Sequence, residues 1–238
     1  MPNIPTPNVK LDAEWGPEDP AVESVWLLLK DAVSKLLDEK IKDDADFRAD
    51  RIYEKLNEAR NYYKAIRAEN FLSLPTSEQD AGYNSLYGSL WSAYKDRLIK
   101  FLSSIGYEAG AIVAGDKQYE AQMAAFCDRY QELDWLKQLI DGQKKNWQDT
   151  LRDNRNAREH DGDLREKKDL PNINTQLDAK RMVAYVSRAI ESIGICILSY
   201  KLPDYWSVVH VSPNATVFDR IPRFKVEIPI HSSKNDPS

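Results

Sequence analysis

Leu86-Tyr87-Gly88-Ser89-Leu90-Trp91-Ser92-Ala93-Tyr94-Lys95-Asp96-Arg97-Leu98-Ile99-Lys100-Phe101-Leu102 decides the fold class. Leu86, Leu90, Tyr94, Leu98 and Leu102 fall at four-residue steps, with Phe101 and Ile105 beside them. On a helix that spacing collects the apolar side chains into one stripe; on a strand it would put them all on one face with nothing to alternate against. The pattern predicts a helix over residues 77–105, with its stripe turned to a core.

The same period governs the chain on both sides. Upstream, Val22, Val25, Trp26, Leu29, Val33, Leu36 and Leu37 predict a helix over residues 19–40, opened by Asp19-Pro20. Phe47, Ile52, Leu56, Tyr63 and Ile66 predict a charged surface helix over residues 46–69 with one buried stripe. Residues 71–77 read as a loop, with Thr76 and Gln79 spaced for a capping box. Downstream, a Gly/Ala-rich turn at 106–115 leads to a long helical pattern over 116–160. Its inner face carries Tyr119, Met123, Phe126, Tyr130, Leu133, Leu136, Ile140, Trp147 and Leu151. Gly142 costs a helix about 1 kcal/mol relative to Ala and marks a place for a bend. Asn174 or Thr175 caps a last helix reaching residue 201. Beyond it Val208-Val-His-Val, Thr216-Val-Phe and Phe224-Lys-Val-Glu-Ile are β-prone pieces that suggest a short hairpin or an extended arm.

The expectation is therefore an all-α bundle of four to five main helices with a short β-prone tail. Three regions are distinguished: an N-terminal tail and helical appendage (1–75), a helical core (76–202) and a C-terminal arm (203–238). Six Trp and twelve Tyr in 238 residues supply ample core. No run approaches 18 apolar residues and the start lacks a signal region, so the chain is expected to be cytoplasmic and away from membranes. Cys127 and Cys196 lie in helical patterns and read as buried free thiols. No Gly-rich phosphate loop, HExxH, CxxC or Ca²⁺-type ladder is present, so no cofactor and no metal is expected. Asn214-Ala215-Thr216 matches a glycosylation acceptor but carries no weight without secretion, and His210 and His231 read as ordinary tail residues.

Chemistry concentrates at the end of the long helix, in Arg155-Asn156-Ala157-Arg158-Glu159-His160. A guanidinium binds phosphate through a fork of donors, a carboxamide orients oxygens, and an imidazole moves protons near neutral pH. Asn156 and His160, four apart, share a helix face. Arg155 continues the line of Trp147 and Leu151, which puts it at the rim of a packed surface. Gly162 reads as the helix C-cap, and the negative helix end favours a protonated His160. Arg155, Asn156 and His160 are the candidate catalytic residues, Arg152 and Arg158 candidate substrate-binding residues, and Glu159 a helper that tunes the histidine. Net charge is −5, against a broad basic face. From Lys144 to Lys168 eight basic residues stand against six acidic ones. That balance suits a short single-stranded segment better than a long duplex.

Arg-Asn-x-x-x-His closing a long helix in an all-helical chain resembles the HEPN family over about residues 117–201. The resemblance implies an up-down bundle that dimerises and brings two motifs into one cleft. It also implies a metal-independent endoribonuclease of a toxin, abortive-infection or CRISPR-associated defence system. An antitoxin or regulatory protein is then a candidate partner, beside single-stranded RNA and a second copy of the chain. HEPN toxins paired with nucleotidyltransferase antitoxins often carry Tyr two residues after the His; Gly162 stands there. The alternative reading is a non-catalytic helical protein that dimerises or docks a partner, with the motif as a structural polar cluster.

Overall fold

The helix that opens at Thr76 runs without a break to Ser104. α3 (Thr76–Trp91) passes through a π-helical stretch (Ser92–Leu98) into α4 (Ile99–Ser104) in the computed structural model of the protein. A four-residue repeat outruns the 3.6-residue turn by about 40° per step. The wider i→i+5 winding of the π stretch takes back part of that drift, and Leu86, Leu90, Tyr94, Leu98 and Leu102 are all fully buried.

The structure describes residues 22–160, 175–202, 207–210 and 224–227. The Pro-rich start, the Gly162 cap, the loop around Pro171, the Asn214 acceptor and His231 lie outside the described residues. Those described form an all-α bundle. α1 (Val22–Ser34) and α2 (Glu39–Ile66) precede the α3–α4 rod, and α5 (Asp116–Arg129) follows it. α6 (Trp135–Gln143), a second π stretch (Lys144–Gln148) and α7 (Asp149–His160) make another continuous rod, and α8 (Gln176–Ser199) comes last. β1 (Ser207–His210) and β2 (Phe224–Glu227) pair antiparallel, with Val208 opposite Val226.

Local chemistry explains where helices start and stop. Residues 19–40 are not one helix, because Asp38 starts a new one: its carboxylate accepts from the backbone N–H of Lys40 (3.0 Å) and Ile41 (3.2 Å). Thr175 caps α8 by accepting from Asp178 N at 3.0 Å. Thr76 does not form the expected capping box, being already helical. Gln79 instead donates to the carbonyls of Leu72 and Leu74, tying α3 to a 3₁₀ turn (Phe71–Ser73). The 116–160 pattern breaks at Tyr130 and not at Gly142. The Tyr130 hydroxyl accepts from Glu108 N (3.1 Å) and its ring packs on Tyr107 and Phe126, which draws the chain out of helix into a 3₁₀ turn (Gln131–Leu133). Two residues expected inward face solvent. Leu37 is 76% exposed, and Phe47 is 46% exposed beneath the guanidiniums of Arg48 and Arg51.

One apolar core runs from Val22 to Val226, and the helices before residue 76 contribute to it directly: Leu29, Val33, Ile52, Leu56 and Ile66 are as buried as anything in α3. α8 lies at its centre, buried around most of its circumference, against α1, α2, α3 and α4. It is long and apolar enough by composition to cross a membrane, but its apolar surface is covered by the bundle. Gly194 permits the closest approach: a Cβ there would stand 2.9 Å from Leu29 Cδ2. The hairpin docks on α1, where Val226 is buried and its N–H donates to the Asp31 carboxylate.

Candidate functional site

The rod formed by α6, the π stretch and α7 is fixed along one face. Trp147 and Leu151 are buried, and the Trp147 ring meets Tyr94 edge-on at 5.1 Å. The Tyr94 hydroxyl donates to Gln143 Oε1 at 2.8 Å, and Gln148 Nε2 donates to Ile112 O at 3.0 Å. Asn154, 1% exposed, donates through Nδ2 to Thr150 O. Two π stretches therefore face each other through Tyr94 and Trp147.

Arg155 and Asn156 follow this packed face and are half-buried. Arg155 Nη1 donates to Asn156 Oδ1 at 3.3 Å, which turns the carboxamide oxygen toward the guanidinium. The backbone remains helical through His160, so His160 follows Asn156 by just over one turn. The side chains of Arg158, Glu159 and His160 lie outside the described residues.

Arg152 has a different setting from the one its sequence position suggests. Its guanidinium pairs with Asp153 (2.9 Å), Asp149 (3.0 Å) and Asp116 (3.3 Å). Lys144 joins the same network at 3.1 Å from both Asp116 and Asp149, and its ammonium lies 4.7 Å over the Tyr119 ring. The Lys144 hydrogen bond, with the charge of Arg152 behind it, holds the Asp116 carboxyl below the usual carboxylate range. Two of the eight cations counted from Lys144 to Lys168 thus fasten α5 to the rod.

Neither cysteine is set up as a nucleophile. Burial and then the charge of Glu191 push the Cys196 thiol up to about 11, and burial raises Cys127 as well, so both are thiols at neutral pH. Among the described residues no group of three or more His, Cys, Asp and Glu is suited to a metal ion. Arg188, a cation in the middle of α8 that the motif at the end of α7 does not include, lines a groove against α6. Its signal was available: a charge in a stripe of Val, Ala and Ile needs either a partner or a purpose. The chain matches no family model, no curated protein and no solved structure.

Proposed function

We propose that the protein is a metal-independent endoribonuclease of HEPN type, working through Arg155, Asn156 and His160 at the end of α7. The observation that carries this reading is the unbroken helical backbone from Asp149 to His160. It carries Arg155, Asn156 and His160 within about one and a half turns of backbone, on a rod whose other face is packed. Arg155, already bonded to Asn156, binds and polarises the scissile phosphate. His160 takes the proton of the ribose 2′-hydroxyl as that oxygen attacks phosphorus. The bond to the 5′-oxygen breaks, and the leaving oxygen collects a proton from the imidazolium, the protonated His160, of a second motif brought in by dimerisation. The products are a 2′,3′-cyclic phosphate and a 5′-hydroxyl, and DNA, lacking the nucleophile, is inert. Arg158 extends the phosphate contact, whereas Arg152, ion-paired to three carboxylates, holds α7 rather than substrate. The reading carries with it a cytoplasmic setting, a short single-stranded RNA substrate and a regulator that restrains cleavage, as in toxin or abortive-infection systems.

The second reading, a docking protein with the motif as a polar cluster, draws on the same Arg155–Asn156 hydrogen bond. One experiment separates them. Labelled single-stranded RNA and the matching DNA are incubated in EDTA with wild type, His160→Ala and Arg155→Ala. The expected result is cleavage of RNA only, with cyclic phosphate ends, reduced on the order of 10²–10⁴-fold in each variant. Cleavage that survives both substitutions overturns the nuclease reading, and a dimeric wild type with no activity transfers the weight to docking.

A further inference from the structure

Between α6 with its π stretch and α8 the rods diverge, leaving a groove of about 660 Å³, the size of a small-molecule site. Arg188 supplies the one charge among the lining residues; no carboxylate is among them. The side chain is half-buried, and its Nε is covered without an acceptor among the described residues. A buried, unpaired donor on a permanently charged group is costly in a folded protein and calls for an acceptor from outside. The rest of the lining is matched to an organic body. Asn146 and Gln138 bring amides, Ser192 a hydroxyl, and Tyr185, Leu139 and Trp147 apolar surface. Gly142 is also among the lining residues, and a Cβ built on it meets no atom within 4 Å. A glycine inside a helix is unfavourable compared with almost any other residue, which is understandable where a side chain would take up space that a ligand needs. The groove also adjoins the π stretch Lys144–Gln148, and such irregularities in helices are frequent at functional sites.

We propose that this groove binds a small organic anion, its carboxylate or phosphate held by Arg188 and its flat body laid against Tyr185 and Leu139. The site is separate from the motif at the end of α7. Asn146 and Asn156 are ten residues, about 15 Å, apart along the same rod, and the proposal stands whether or not that motif cuts RNA.

The test uses the purified full chain and four probes in titration calorimetry and thermal unfolding: benzoate, phenyl phosphate, inorganic phosphate and benzylamine. Benzoate or phenyl phosphate is expected to bind one to one and to raise Tm with concentration; which of the two binds more tightly identifies the head group. Inorganic phosphate, which lacks the body, should bind at least about tenfold more weakly, and benzylamine should not bind. Arg188→Gln is expected to lower affinity about tenfold to a hundredfold. Because Arg188 Nε has no acceptor to lose among the described residues, Tm of the ligand-free protein should hold or rise. Gly142→Leu, which fills the groove while favouring helix, should abolish binding with Tm again undiminished. Absence of binding by both aromatic anions overturns the proposal. So does benzylamine binding as tightly as they do, or binding unchanged in folded Arg188→Gln and Gly142→Leu.

Discussion

Gly106 carries the one left-handed backbone among the described residues, with φ at +94°. The α3–α4 rod ends there in two linked bonds: Gly106 N donates to Ser103 O (3.0 Å) and Tyr107 N to Leu102 O (2.9 Å). That is a Schellman closure, and it requires a residue without a Cβ penalty at the turning position. Gly106→Ala is expected to cost about 1–2 kcal/mol, a fall of a few degrees in Tm for a chain of this size. Gly110→Ala, whose Cβ meets nothing within 4 Å, should stay within about 0.5 kcal/mol of wild type. Equal Tm values for the two variants would refute the assignment. A Gly/Ala-rich turn was legible at this point in the sequence because glycine spacing signals it. Phe47 was not legible, since its apolar character predicts burial and only the neighbouring Arg48 and Arg51, folded over its ring, account for its position. The motif's inventory was legible too, but the pairing of Arg152 was not: Asp116, one of its partners, is 36 residues away.

Among elements, helix existence was legible and helix continuity was not. The apolar stripe from Leu86 to Leu102 announces a rod, and nothing in it distinguishes α from π winding except the strictness of its four-residue step. The break at Tyr130 arises from a phenol bonded to the Gly106–Glu108 turn, a tertiary contact invisible to periodicity. The network of Lys144, Arg152, Asp116 and Asp149 ties the start of α5 to the α6–α7 rod, beside the Tyr119–Asp141 hydrogen bond and the Lys137–Glu120 ion pair. Lys144→Met keeps the stem and removes the charge. It is expected to cost about 1–2 kcal/mol, because Lys144 is largely covered while Asp116 is well exposed, and the deficit should narrow in high salt. The acid side of the stability profile gives a second reading. Asp116 titrates below its ordinary 3.8 in the folded protein, so its contribution is present above that pH and is lost as pH falls through the lower folded value. Chemical denaturation from pH 6 to pH 2 should give a flatter decline in Lys144→Met than in wild type. Parallel profiles would mean that the network does not hold α5.

At the scale of the whole molecule, the boundary drawn at residue 75 followed the loop signal in Leu74-Pro75, yet the core passes through it. α1 and α2 lie against α8, and a central helix needs cover on all sides, which no local pattern specifies. The same enclosure buries phenols as well as alkyl groups. Burial, and then the nearby Tyr119, pushes Tyr94 above the usual tyrosine range. Burial with the Glu132 carboxylate does so for Tyr107, and burial with the hydrogen bond to Asp141 for Tyr119. The ordinary value of 10.0 applies once the chain unfolds. Below that pH both states hold their protons and the full stability is present. Above it the unfolded chain releases protons that the folded chain retains, so stability falls as pH rises, by about 1.4 kcal/mol per pH unit for each phenol kept protonated. Each such group adds to that slope, against a total stability of ordinary size, about 5–15 kcal/mol. The alkaline transition is therefore expected to be cooperative: part of the tyrosinate absorbance of the twelve tyrosines should appear only as helical circular dichroism is lost. Tyr94→Phe should move that midpoint upward relative to the variant's own stability at neutral pH. It removes one of the phenols that oppose the folded state in alkali, while leaving Gln143 without its donor at every pH. A smooth titration of all tyrosines near pH 10 with the helices intact would contradict the enclosure on which the fold and the placement of both candidate sites depend.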